Sequence, residues 1–169
     1  LTQDWKTENL DEKWNNQTGD WSRNGTKTFI RDLDKDGISE VFIAHSERAG
    51  YPLSMYKSTG EGSWSEQIIL DSIPACHTLQ VFDFDLDDSY DILAGVNMGR
   101  AVNLGKDSYE VLLLLGGEDD TSFKPFPINK DGIYNGQVAD YDGDGDMDIF
   151  RYPQHEATEF YLIVNKIIG

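Results

Sequence analysis

The sequence predicts an all-β chain made of four-stranded antiparallel blades of the β-propeller kind, on three observations. Acidic loops of the Asp-x-Asp-x-Asp type begin at Asp32, Asp83 and Asp140, 51 and 57 residues apart, close to the roughly 40 to 50 residues of common propeller repeats. A short mixed run precedes each loop and an apolar run follows it, the layout of two strands joined by a tight turn. No stretch carries the sustained 3.6-residue apolar period of a long helix.

Taken in order, the first strands (A) are predicted at 26–31, 77–82 and 134–139, and the second (B) at 40–44, 91–94 and 148–152. Third strands (C) follow a longer connection, at 53–57, 109–115 and 160–165. Fourth strands (D) appear at 65–70 and 123–128 only. The expected units are a leading segment 1–25 that supplies a strand to an adjoining blade, then blades over 26–70, 71–128 and 129–169, the last incomplete. Propellers close with about 4 to 8 blades. The chain is therefore read as a partial propeller, completed either by a longer parent or by other copies of itself.

Charge sets the class of partner. The chain has 31 acidic residues against 14 basic ones, a formal charge of -17, which argues against nucleic acid, because that affinity depends on Lys and Arg neutralising phosphates. Fourteen of the 31 acids lie in the three loops, and such crowding repels itself unless a cation neutralises it. No apolar run approaches the roughly 20 residues of a membrane helix, so no membrane insertion is expected. Cys76 has no partner for an intrachain disulfide and reads as a buried thiol. The chain opens at Leu1 without a basic leader, as expected of a mature or excised segment.

The loops are candidate metal sites. In the first, Asp32, Asp34, Asp36 and Glu40 hold positions 1, 3, 5 and 9; in the third, Asp140, Asp142, Asp144 and Asp148 do. Carboxylates so spaced converge when the loop curls around an ion, and Gly at position 6 permits the bend. The position 7 carbonyls of Ile38 and Asp146 are expected to complete the oxygen shell. All-oxygen ligands on a flexible loop suit Ca²⁺ rather than Mg²⁺ or a transition metal. An EF-hand would need Glu at position 12, where Ile43 and Arg151 stand. The second loop keeps Asp83, Asp85, Asp87 and Asp91, with Ser89 at position 7, but has Asp88 in place of the position 6 glycine, so weaker binding is expected there.

These loops and their flanking strands, over roughly 26–165, resemble the FG-GAP/VCBS class of repeats, which build the calcium-bearing propeller of integrin α heads and of many bacterial secreted proteins. The resemblance implies a structural calcium at each A to B turn and a secreted or cell-surface location. It leaves activity open, since such propellers include adhesion modules, carbohydrate-binding modules and parts of polysaccharide lyases.

Strand direction alternates, so the D to A and B to C connections must sit at the end opposite the acidic turns. Arg48, His77, Asn97, Arg100, Tyr134 and Arg151 are the candidate ligand-binding residues there, with Glu47, Tyr51, His155 and Glu156 beside them. The longest connection is 96–108, and long loops are often functional. The same residues also suit the alternative role of packing blade on blade. Trp5, Trp14, Trp21 and Trp64 read as core and blade-closing residues. No nucleophile elbow, zinc-protease motif or phosphate loop is present. The leading expectation is a non-catalytic, calcium-binding module for a carbohydrate or protein ligand. A lyase or hydrolase propeller and a purely architectural element are the alternatives.

Overall fold

Alternation of side chains along the strands decides which sheet faces are covered. The computed structural model describes residues 5–14, 25, 27–117, 119 and 121–167. Three antiparallel sheets follow one another along the chain. The first is β1 (Lys27–Arg31), β2 (Glu40–Ala44), β3 (Leu53–Gly60) and β4 (Ser63–Leu70), paired in that order. The second is β5 (Cys76–Phe82), β6 (Asp91–Val96), β7 (Val111–Gly116) and β8 (Phe123–Asn129). The third has three strands, β9 (Gln137–Ala139), β10 (Asp148–Arg151) and β11 (Tyr161–Ile163). The all-β, partial-propeller expectation is borne out.

Sheet 2 is covered on both faces, which is why β6 is apolar almost throughout. Ile92, Ala94 and Val96 point one way and pack with Phe42, Ala44, Leu53 and Met55 of sheet 1. Leu93 points the other way and packs with Ile133 and Ile149 of the third repeat. Gly95 shares that second face, and a Cβ there would lie 1.8 Å from Ile133 Cγ2. Its hydrogen side chain is therefore required for the close approach. Polar links cross both seams. Arg31 donates to the Val81 carbonyl at 2.9 and 3.1 Å, and Gly136 N–H donates to Thr78 Oγ1 at 2.7 Å. Cys76 is fully buried as expected, and burial pushes its thiol up to about 11.

Three local departures have physical causes. β9 starts later than predicted because Asn135 takes a left-handed φ of 52°, which ends the extended run on its N-terminal side. Tyr109 meets Asp131 in an isolated bridge before β7 begins. The connection 97–110 holds a helix, α1 (Met98–Asn103), started by Asn97, whose side chain accepts the Gly99 N–H at 3.1 Å. No described helix is long and apolar enough to cross a membrane.

The described part of the leading segment, 5–14, forms no strand. It runs beside the outer face of sheet 1, where Trp14 Nε1 donates to Glu66 at 2.7 Å and Asp11 accepts from Tyr56 at 3.1 Å. Trp14 packs against His45 and Tyr51 as a closing residue, whereas Trp5 is 86% exposed and is no core residue. Thr26 and Trp21 lie outside the described residues.

Candidate metal loops and the cleft opposite them

All three acidic loops fold by one hydrogen-bond plan. The position 1 carboxylate caps the turn: Asp32 accepts from Asp36 and Gly37, Asp83 from Asp87 and Asp88, and Asp140 from Gly143 and Gly145, at 2.7 to 3.2 Å. Position 5 accepts the position 7 N–H at 2.8 to 3.0 Å in each loop. The buried position 9 carboxylates, Glu40, Asp91 and Asp148, reach back to the position 2 N–H of Leu33, Phe84 and Tyr141 at 2.7 to 2.8 Å. Asp146 is also fully buried. Positions 4 and 6 both adopt positive φ in every loop: Lys35 and Gly37, Leu86 and Asp88, Gly143 and Gly145. Asp88, at φ 71°, thus makes the same bend as its glycine counterparts.

The plan brings carboxylate oxygens of Asp32, Asp34 and Asp36 together, and likewise those of Asp83, Asp85 and Asp91 and of Asp140, Asp142 and Asp148, each set within 4.8 Å. Asp87 and Asp144 stand outside their sets. So does Glu40, with Oε2 held by Leu33 and Oε1 turned toward Lys57 Nζ at 3.8 Å. Electrostatics differ between the loops. Burial and neighbouring acids raise Asp85 and Asp142, and burial pushes Asp91 up to about 6. At the same position 3, Asp34 is held low by its hydrogen bond from Lys57.

A hard cation fits these residues. The donors are all oxygen, and Asp85 Oδ1 and Glu40 Oε1 are buried without a hydrogen-bond partner among the described residues. An ion with 6 to 8 oxygen ligands would satisfy such atoms.

At the other end the connections interlock across sheets. Ala75 N–H donates to Glu47 O, Asn97 to Ala75, Met98 to Pro153, and Tyr134 to Tyr152, at 2.7 to 3.0 Å. This backbone lattice frames a cleft of about 600 Å³ to which all three repeats contribute, including Glu47, His77, Asn97, Arg100, Tyr134 and His155. Glu47 organises it. One carboxylate oxygen lies 2.6 Å from His77 Nε2 and the other 2.8 Å from Arg100 Nε. His77 is held below its ordinary pKa by burial, which outweighs the pull of Glu47. Tyr134 packs against His77, Tyr152 and His155, with centroids 5.1 to 5.6 Å apart.

Four of the six candidate ligand-binding residues therefore line one cleft: His77, Asn97, Arg100 and Tyr134. Arg48 does not line it. Nor is Arg151 part of that lining: it is 6% exposed, donates to the Gly132 and Asp131 carbonyls at 2.7 and 3.3 Å, and lies over the Tyr161 ring. It ties the third sheet to its own preceding loop. Lys57 and Glu47 carry weight at the two ends that sequence spacing alone did not assign them. For Lys57 the available signal was its place one strand over from the position 9 acid.

A search of the curated proteins returned no match. Residues 32–94, from the first acidic loop to Ala94 in β6, match the FG-GAP-like repeat family, so this stretch of the partial propeller is similar to an FG-GAP-type repeat.

Proposed function

We propose that the chain is a non-catalytic, calcium-binding propeller module of the extracellular space that engages a carbohydrate or protein ligand in the cleft opposite its calcium loops. The observation that carries this reading is the division of labour between the two ends. Three copies of one carboxylate turn sit at one end, while at the other non-equivalent residues from all three repeats meet in a single concave site. Repetition suits a structural ion, and convergence suits a ligand. Arg100 and His77 are already matched by Glu47, so the cleft has no large positive field, and its aromatic and hydrogen-bonding groups favour a polar ligand over a polyanion. The test is calorimetric titration with Ca²⁺ followed by a glycan and protein-ligand screen of the calcium-loaded chain and its Tyr134→Ala variant. Calcium uptake together with a ligand lost in the variant supports the reading; no uptake, or ligand binding unaffected by Tyr134→Ala, contradicts the corresponding half.

A further inference from the structure

The loops agree in their turns but differ in what faces position 9 from the third strand. Extending the strand registers by one residue places Lys57 opposite Glu40, Leu115 opposite Asp91 and Val164 opposite Asp148. In the second and third loops the outer oxygen of position 9 accepts a third-strand amide, Gly116 N–H or Asn165 N–H, each at 2.8 Å. In the first loop Glu40 Oε1 receives no such bond. Lys57 takes that place. Its ammonium hydrogen-bonds Asp34 and lies 3.4 Å from Asp36 and 3.8 Å from Glu40.

We propose that Lys57 is an internal cation of the first loop, so that calcium fills the second and third loops first and enters the first only by displacing the Lys57 ammonium. This rests on reading the loops as calcium sites. A fixed positive charge in contact with the ligand oxygens, and so about 4 Å from an ion they would hold, opposes that divalent ion even in high dielectric, by on the order of tenfold or more in affinity. It also offsets part of the first loop's negative charge when no metal is bound. The order of strength expected from position 6 alone is thereby reversed: the loop with Asp88 binds better than the loop with Gly37.

Calcium titration by calorimetry of the chain, of Lys57→Leu (the residue facing position 9 in the second sheet) and of Lys57→Met, with melting followed in each, tests this. The expected result is two tight sites and one weaker site in the unmodified chain, with the weak site tightening at least about tenfold in both variants. Adding Asp36→Asn to Lys57→Leu should abolish the gained site. The variants should melt below the unmodified chain in chelator and level with it in saturating calcium, whereas a mere packing role would leave the deficit in both conditions. Three equal sites in the unmodified chain, or a weak site unmoved by Lys57→Leu and Lys57→Met, overturns the proposal and leaves the calcium reading standing. Folded protein that takes up no calcium in any form removes that reading and the proposal with it.

Discussion

The acidic end and the cleft end of this molecule are built on opposite principles. At the acidic end one nine-residue solution recurs three times, with the position 2 N–H on the position 9 carboxylate in every copy. At the cleft equivalent positions differ in kind: position-matched His77 and Tyr134 are unlike, and Glu47, Arg100 and His155 come from unlike connections. Copies of a turn preserve what the fold requires. Divergence at the other end, on a scaffold held rigid by backbone hydrogen bonds, is where a particular ligand can be specified.

The largest effect is expected where the cleft end is also structural. Glu47 is buried against the Arg100 guanidinium and the His77 ring, so Glu47→Ala leaves both without their acceptor and should cost about 3 kcal/mol of unfolding free energy as well as ligand binding. Denaturant unfolding checks it, and a loss below about 1 kcal/mol would mean that the Glu47 contacts organise little. Arg151→Ala should cost about 2 kcal/mol, because the buried Gly132 carbonyl and the part-buried Asp131 carbonyl lose their donor, without altering ligand contacts. Arg100→Ala should weaken binding, at a smaller cost in melting than Glu47→Ala, because His77 Nε2 stays beside the Glu47 carboxylate. Equal behaviour of the two arginines would erase the distinction between the cleft and the residue beneath it.

A smaller effect concerns pH. The folded chain holds His77 below its ordinary pKa, whereas the unfolded chain protonates it near 6.5. The unfolded state then binds more protons, so this contribution is intact above about pH 6.5 and is lost as pH falls toward the folded value. Facing His77 are Glu47, Arg100, Lys27 and the Tyr134 ring. His77→Gln should flatten the melting profile below about pH 6.5, and an unchanged slope would assign the acid sensitivity elsewhere.

The smallest effect tests the sameness of the acidic turns. Gly145 sits at φ 102° and Asp88 at φ 71°. Gly145→Ala should cost about 1 to 2 kcal/mol, while Asp88→Gly should change stability by less than about 1 kcal/mol. A large gain from Asp88→Gly would show the second turn to be strained.

Legibility followed the same division. The acidic turns could be read from sequence because carboxylate spacing, the position 6 glycine and period-2 strands are local signals, and the repeat supplied three trials of each. Positive φ at position 4 was not readable, since Lys35 and Leu86 carry no mark of it; the cap from position 1 imposes it. The helix 98–103 escaped because six residues show no period. Arg151 reads from sequence as a ligand-binding candidate, yet it closes β10 and its carbonyl partners come from a loop 19 and 20 residues earlier, which only the folded chain brings near. Lys57 was hidden for the same reason, its role depending on cross-strand register rather than on spacing within the loop.

The central claim is that a cation holds the acidic end together, and thermal melting of the chain before and after exhaustive chelation tests it most directly. A bound ion adds stability by mass action, about 2.7 kcal/mol for each site at a hundredfold excess over its Kd, so the calcium-loaded chain should melt well above the stripped one and recover on adding Ca²⁺ back. An unchanged melting temperature in protein verified to have lost its metal would contradict the account.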